Sequence, residues 1–330
     1  MYVLGIESSC DDTCCAVVNG RRILSNVTIS SLSLHKPYGG IVPEIATRNH
    51  LKFIDRVFRL AIERANIDVK DIGVVGFTHR PGLIGALVVG ANFAKALSLA
   101  LDKPLIGVNH LYAHLYAPFL DNRIKFPFPF IGLVVSGGHT ELFFVSDFDN
   151  IKCVGKTRDD AAGEVFDKVA RAFGLGYPGG WYIDKLFKEE YKDSFKFKCA
   201  DLGLNFSFSG IKTALVYRKI ELEKDRKLSR ELIVKLLSSF QESIVKNIVD
   251  KTILAAKKYR VKTIVAGGGV VANRRLRRLL RKAAVENKLR LLLAPVTLSS
   301  DNAVTVAGLS YYLYNVKRRK SDIGIKVYSN

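Results

Sequence analysis

The sequence predicts an α/β fold of two lobes, on three observations. Its 330 residues exceed what one ordinary core holds. Two strand–turn–strand units of like pattern stand far apart in the chain, which points to a duplicated domain. Between and after them, stretches of helical spacing alternate with short apolar strands, the pattern of helices packed on mixed sheets.

The first unit runs Val3-Leu4-Gly5-Ile6-Glu7, a polar turn Ser8-Ser9-Cys10-Asp11-Asp12, then Thr13-Cys14-Cys15-Ala16-Val17-Val18, a β-hairpin with acids at its tip. Leu51, Ile54, Phe58, Ala61 and Ala65 then recur at helical spacing and predict an amphipathic helix over residues 49–66. Strands are expected at 73–78 and 104–108, before His110-Leu111-Tyr112-Ala113-His114, which reads as helix. The second unit is Phe130-Ile131-Gly132-Leu133-Val134-Val135, the turn Ser136-Gly137-Gly138-His139, and Thr140-Glu141-Leu142-Phe143-Phe144-Val145. Late in the chain Ile233, Leu237, Phe240, Ile244 and Ile248 mark a long helix ahead of a strand at 262–266. The lobes divide as 1–125 and 126–330, with the boundary near 122–129, where Pro127 and Pro129 interrupt any regular element.

Hydrophobic residues at 48% and charged residues at 25% give a soluble globular balance. No apolar run reaches the roughly 18 residues that span a bilayer, and the start of the chain lacks a secretory pattern. A cytoplasmic location is therefore expected. Five cysteines without a Cys-x-x-Cys pair argue against zinc fingers and disulfide scaffolds. The 51 Lys plus Arg outnumber 31 Asp plus Glu, and the formal charge of +20 favours a polyanionic partner or, more blandly, solubility. Arg274, Arg275, Arg277, Arg278, Arg281 and Lys282 form one basic run, and Lys317, Arg318, Arg319 and Lys320 a second; either would equally serve as a solvated helix face.

Three glycine-rich loops are candidates for holding phosphate. Ser136-Gly137-Gly138-His139 sits at a hairpin tip, where backbone N–H groups can approach an anion or where a tight turn simply needs positive φ. Gly267-Gly268-Gly269-Val270-Val271-Ala272-Asn273 follows a strand and precedes a basic helix, so unpaired helix-terminal donors lie beside a flexible loop. It matches neither the dinucleotide fingerprint nor a Walker loop. The third, Gly174-Leu175-Gly176-Tyr177-Pro178-Gly179-Gly180, reads alone as a linker between helices.

His110 and His114 share a helix face, a spacing that grips a metal ion or arises by chance on a surface. Asp301, in Ser299-Ser300-Asp301-Asn302-Ala303, is a carboxylate at a helix start whose bland role is N-capping. Two His and one carboxylate would suit iron(II), with zinc as substitute. Zinc-protease chemistry needs Glu after the first His; Leu111 stands there.

Taken together, Gly5-Ile6-Glu7-Ser8-Ser9-Cys10-Asp11, Tyr38-Gly39-Gly40-Ile41-Val42-Pro43-Glu44, Pro81-Gly82-Leu83-Ile84-Gly85-Ala86-Leu87, the histidine pair and Val135-Ser136-Gly137-Gly138-His139-Thr140 resemble one family, the bacterial and organellar tRNA N6-adenosine threonylcarbamoyltransferases. The resemblance continues through Asp159-Asp160-Ala161-Ala162-Gly163-Glu164-Val165-Phe166-Asp167-Lys168, Phe206-Ser207-Phe208-Ser209-Gly210-Ile211-Lys212, the Gly267 loop and Ser300-Asp301-Asn302-Ala303. It implies the two-lobed actin-like fold of sugar kinases and chaperone ATPases, with duplicated ribonuclease H-like domains and a last helix packed back on the first lobe. It implies metal ligands His110, His114 and Asp301, one divalent ion per subunit, and a substrate pocket of Val134, Val135, Ser136, Gly137, Gly138, Asp167, Gly180, Asp184 and Asn273.

The implied reaction carries a threonylcarbamoyl group from threonylcarbamoyl-AMP to the adenosine 3′ of the anticodon, with an ATP- or ADP-like nucleotide as the alternative bound ligand. The implied partners are tRNA, a smaller paralogous actin-like protein and a small ATPase; no membrane is involved, and a homodimer stays open. No catalytic residue is assigned beyond the metal site, and Asp11 and Asp12 are the acids to test. Four positions depart from the family pattern: Asp12 in place of Glu, His79 and Arg80 before Pro81 where a small residue and Gly are usual, and Trp181 after Gly180 where Pro is usual. Two rivals remain, a small-molecule kinase or carbamoyltransferase of the same fold, and a non-catalytic ATP-dependent binding module of the chaperone type.

Overall fold

The structure, a computed structural model, describes residues 1–121, 124–224 and 227–330, which form two compact units, Met1–Phe126 with Ala294–Asn330, and Pro127–Leu293. The expected boundary stretch 122–129 begins on Asn122 and Arg123, which lie outside the described residues. Residues from Ala294 onward, numbered with 126–330 in the expected division, belong to the first unit, and with them the last α-helix, which was expected to return to the first lobe.

The first unit contains β1 (Tyr2–Glu7), β2 (Asp12–Asn19), β3 (Arg22–Ser30), α1 (Leu32–His35), α2 (Pro43–Ala65), β4 (Ile72–Arg80), α3 (Ile84–Leu101), β5 (Leu105–Asn109) and α4 (His110–Tyr116). The second contains β6 (Phe130–Val135), β7 (Thr140–Asp147), β8 (Asn150–Lys156), α5 (Ala162–Ala172), α6 (Gly179–Leu186), α7 (Ser209–Glu223), α8 (Arg230–Lys258), β9 (Thr263–Gly267), α9 (Arg274–Glu286) and β10 (Arg290–Leu293). The chain then returns to the first unit with α10 (Ala303–Tyr311).

The sheets are ordered β3-β2-β1-β4-β5 and β10-β9-β6-β7-β8, the same topology twice. In each, the hairpin is antiparallel and its first strand continues into two parallel neighbours. The two hairpins seen in the sequence are thus the corresponding parts of a duplicated unit.

The central strands β1 and β6 are buried on both faces, which explains their near-continuous apolar composition. Leu4, Ile6, Cys15 and Val17 meet Ile54, Val57, Phe58 and Ala61 of α2. Pro43 opens α2 as its first helical residue and Asn66 closes it in the left-handed region, so the helix begins earlier than the apolar stripe alone indicates. Leu51, counted in that stripe, is exposed. In the second unit Phe166 of α5 and Phe240, Ile244 and Ile248 of α8 pack over Ile131 and Leu133.

The other face of the first sheet takes α10, which is buried along almost its whole length. Its approach is too close for side chains beneath it. A Cβ on Gly5 would collide with the Ala303 carbonyl oxygen and lie 2.6 Å from the Ala307 nitrogen, and one on Gly76 would collide with Ser310. On the far side of α10, a Cβ on Gly308 would sit 2.7 Å from the Tyr116 ring of α4.

The expectation that no apolar stretch is long enough to cross a bilayer is corrected by α3, an 18-residue helix that is long and apolar enough to do so by length and composition alone. Uninterrupted runs were the wrong measure, because Asn92 and Lys95 break the run without making the helix polar. Its Ala86, Leu87, Gly90, Ala91 and Ala94 are buried, with Gly90 pressed against Ser8, and this face packs on β4 as a core helix does.

Replacing Gly5 with Val is expected to lower stability by about 1–3 kcal/mol, since the nearest atoms are backbone and cannot rotate away. A urea-denaturation midpoint unchanged from wild type would overturn this account of the α10 packing.

Candidate metal and nucleotide sites

The candidate metal site, His110, His114 and Asp301, lies entirely within the first unit. Asn109 caps α4, its side-chain oxygen accepting from the Leu111 and Tyr112 amides at 2.9 and 3.3 Å, and this starts the helix at His110. One turn later comes His114, and the two rings lie edge to face with centroids 4.6 Å apart. Both are buried. Asp301 Oδ1 lies 3.5 Å from His110 Nε2 and 3.4 Å from His114 Nε2, and the donor atoms of the three residues fall within 4.8 Å of one another. The capping role open to Asp301 falls instead to Asn302, whose side chain accepts from the Thr305 amide. Asp301, one residue outside the cap, faces the histidines.

Behind His110 stands a residue that the sequence pattern marks only as the acid ending a strand. Glu7 Oε2 is 2.9 Å from His110 Nδ1 and accepts from the Thr78 hydroxyl at 2.6 Å, while its Oε1 accepts from the Ser9 amide. This carboxylate holds the Nδ1 proton of His110, so that once a metal ion displaced the other proton the Nε2 lone pair would face Asp301 and His114. The available signal was an acid at the end of an otherwise apolar strand.

The electrostatics favour a cation here. Burial opposes charge on His110, yet Glu7 and Asp301 outweigh it and raise its pKa to about 9. Burial likewise opposes charge on Glu7, and His110 overcomes it, so the Glu7 carboxyl is lowered. Asp12 is pushed up to about 7, by burial first and then by Asp11, and Asp11 is raised by burial and by Asp301. Both ring nitrogens of His114 and Oδ1 of Asp12 are buried without a hydrogen-bond partner. Four acids close to two imidazoles, with the His114 Nε2 that has no hydrogen bond facing Asp301, fit a divalent metal ion better than they fit an interior closed by hydrogen bonds alone. The same convergence counts against the chaperone-type module, which needs no such meeting. The acidic tip is itself braced: His50 contacts the Thr13 hydroxyl at 2.8 Å and the Cys10 carbonyl at 3.0 Å. The Cys10 and Cys14 thiols are held protonated, mainly by burial, and offer no thiolate to compete for a metal.

The second unit gathers the other expected residues in two groups. At the β6–β7 turn the Ser136 amide donates to the His139 carbonyl, and neither Gly137 nor Gly138 has a positive φ. A Cβ at either would meet nothing within 4 Å, so the turn itself does not demand glycine and the space above it is open. Beneath it, Gly163 lets α5 touch the turn, and the Glu164 amide donates to the Gly137 carbonyl. Val134 and Val135 are fully buried strand residues, so only their backbone is available to a ligand. In the Gly267 loop, Gly268 has φ 97° and sits against the Val135 carbonyl, while Gly269 faces open space.

Asp167, Gly180, Asp184 and Asn273 are tied to their surroundings. Asp167 Oδ1 accepts from the Gly179 amide at 2.6 Å, so the loop that reads as a linker docks α6 onto α5. Burial pushes Asp167 up to about 6 against the pull of the Gly179 and Gly180 amides. Asn273 caps α9 and donates to Gln241 at 3.1 Å, Gln241 donates to Asp184 at 3.3 Å, and Arg274 pairs with Asp184 at 2.8 Å. Gln241 was not anticipated; nothing in the α8 pattern distinguishes it from any other buried position.

Half of the basic run on α9 is spent on acids from other elements. Besides the Arg274 pair, Arg275 bonds Glu242 and Glu189, and Arg278 pairs with Glu189. The second run, 317–320, lies beyond the last helical turn, with Arg318 left-handed. Of the departures from the family pattern, Trp181 is exposed with Lys185 Nζ 4.9 Å above its ring, and the His79 carbonyl accepts from the Tyr328 amide.

Residues 22–308 match the family model described as tRNA N6-adenosine threonylcarbamoyltransferase. This chain belongs to that family. It is 47% identical over 320 residues to the tRNA N6-adenosine threonylcarbamoyltransferase of Thermosipho africanus, covering 95% of this chain and 94% of the relative. Against the protein of the same name from Dictyoglomus turgidum identity is 45% over 328 residues, with 98% and 96% covered. Among solved structures, HypF of T. kodakarensis aligns with TM-score 0.62 at 14% identity over 95% of this chain and 48% of that one. Component A of the (R)-2-hydroxyglutaryl-CoA dehydratase of Acidaminococcus fermentans gives 0.53 at 15% identity, with 94% and 98% covered. These likenesses establish the actin-like fold, and membership of the family makes the chain a transferase acting on tRNA.

Two outcomes test the geometry. Glu7→Gln keeps the size but removes the charge behind His110, and metal affinity measured by titration with Co(II) is expected to fall about 10–100-fold; an unchanged affinity would remove Glu7 from the site. For Asp167, the folded pKa of about 6 lies above the usual 3.8. The folded state therefore binds the extra proton, and stability is lost as pH rises through that window. The stability of wild type relative to Asp167→Asn is expected to fall by on the order of 2–3 kcal/mol between pH 4 and pH 7, and a flat difference in melting temperature across that range would contradict it.

Proposed function

We propose that the enzyme moves the threonylcarbamoyl group from threonylcarbamoyl-AMP to the N6 amine of the adenosine 3′ of the anticodon, in tRNAs reading codons that begin with A, forming t6A and releasing AMP. Membership of the family carries the transfer to tRNA. The meeting of His110, His114 and Asp301 within 4.8 Å is the observation that carries the metal-dependent form of it. In bond terms the amine attacks the carbonyl carbon of a mixed anhydride, the carbon–oxygen bond to phosphate breaks, the electron pair departs with AMP, and the amine loses a proton.

His110 Nε2, His114 and Asp301 would hold one divalent ion, iron(II) first and zinc second. Bound there, it would supply Lewis acidity toward an oxygen of the donor. Glu7 keeps the His110 lone pair directed at that position. The amides of Gly137, Gly138, Gly268 and Gly269 are assigned to the adenylate, whose approach the missing side chains at 137, 138 and 269 permit. Asp167, Gly180, Asp184 and Asn273 complete the substrate pocket. The weakly nucleophilic amine gains chiefly from being held in attack geometry. Asp12, with a buried oxygen that has no hydrogen-bond partner, is the acid assigned to take the amine proton. The reaction belongs to the cytoplasm, with the smaller paralogous actin-like protein and the small ATPase as partners.

In a reconstituted reaction with the adenylate donor and unmodified tRNA, wild type is expected to form t6A in amounts that fall with added salt. His110→Ala should lose at least about a hundredfold in rate. If no t6A forms even with the partner proteins present, the small-molecule kinase of the same fold becomes the better reading.

A further inference from the structure

Six cations close the two helix-to-strand turns of the second unit, and unlike Arg274, Arg275 and Arg278 of the α9 run they are not paired with acids from other elements among the described residues. Lys257, Lys258, Arg260 and Lys262 surround the α8–β9 turn, and Lys288 and Arg290 the α9–β10 turn. The turns are neighbours, since β9 and β10 are parallel with Thr263 opposite Arg290, and the Arg290 amide donates to the Lys262 carbonyl at 2.8 Å. All six residues are exposed. None of them enters an ion pair among the described residues; Glu286, the nearest acid in the chain, faces Lys282. The acids Asp147 and Asp149 of the β7–β8 turn lie across β6 from β9.

The fold does not require cations here. Each turn passes through one left-handed residue, Arg260 at φ 53° and Lys288 at φ 54°. In the first unit the corresponding turns, after α2 and α3, use Asn66 and Asp102 at φ 53° and 51°. Asn and Asp tolerate this conformation better than long side chains do. Both turns of the second unit therefore accept backbone strain to present a cation where the same topology elsewhere presents a neutral or acidic residue, and strain of this kind marks functional positions.

We propose that this end of the second sheet, at the opposite ends of β6 and β9 from the glycine loops, is a docking surface for the phosphate backbone of the tRNA. It rests on the tRNA reading above and extends it. Contacts there position a long polyanion without reading its bases, so affinity through this surface is independent of sequence and sensitive to salt.

The test is binding of an unmodified tRNA transcript across a series of KCl concentrations, comparing wild type with Lys257→Gln/Arg260→Asn/Lys288→Asn/Arg290→Gln. The Asn substitutions suit the left-handed turns, so the variant is expected to melt no lower than wild type. Its tRNA affinity at low salt should fall at least tenfold, and the slope of log affinity against log salt should shrink by about 0.7–0.9 for each phosphate no longer neutralised. AMP affinity should stay unchanged. A variant with wild-type melting, affinity and slope would overturn the surface while leaving the transferase reading intact, provided wild type forms t6A. Lower melting with unchanged tRNA affinity would make the cations a balance to the helix dipoles and overturn the proposal. Loss of the small ATPase with tRNA binding retained would make the surface a protein contact and overturn it equally. A wild type that neither binds nor modifies tRNA would overturn the reading of function itself.

Discussion

The first unit depends on how closely α10 lies against its sheet. Two glycines beneath the helix make that possible, Gly5 and Gly76, while Gly308 within it lets α4 approach from the other side, and at each a single added carbon would meet atoms at or below 2.7 Å. The packing fixes the start of the helix over the end of β1, where Glu7 stands, and beside α4, which carries both histidines. Asp301 reaches the pair because the backbone behind it has no room to lie elsewhere. A site with donors from the beginning, the middle and the end of the chain is thus held by steric fit, and its polar contacts refine a geometry that packing has already set.

That dependence explains what the sequence did and did not disclose. Hairpins, central strands and the long helix were readable because their apolar periodicities differ, and the duplication was readable because the hairpins repeat. The histidine pair was readable as a helical spacing. Its union with Asp301 was not, since no local pattern reports which distant helix crosses a sheet; only the family resemblance supplied it. Glu7 escaped notice for the same reason, because a carboxylate at a strand end acquires meaning only through what faces it. Charge was the most misleading signal. The arginine run on α9 looks like a binding face, yet Arg274, Arg275 and Arg278 are spent on acids from other elements.

The two expected sites also differ in physical character. In the first unit carboxylates and imidazoles are crowded together and buried, so the arrangement favours any cation able to relieve the repulsion. In the second unit, open glycine turns at Gly137, Gly138 and Gly269 stand beside a ring of mutually bonded side chains. The ring sets the positions of helix ends, and the turns leave accessible amides. The first arrangement selects by charge, and the second by shape and backbone donors.

The return of the chain to its first unit also orders events during synthesis. Residues Pro127–Leu293 form a unit with its own sheet and core, inserted between β5 with α4 and the helix that covers the first sheet. As the chain leaves the ribosome, the first sheet must wait with the α10 face of Gly5 and Gly76 uncovered until the second unit has emerged. Closure over so long an insertion makes the contacts of α10 among the most distant in sequence, and such contacts form late. Asp301 arrives just ahead of that helix. Its meeting with His110 and His114 therefore reports that the second unit has been made and that the first has closed around its last α-helix.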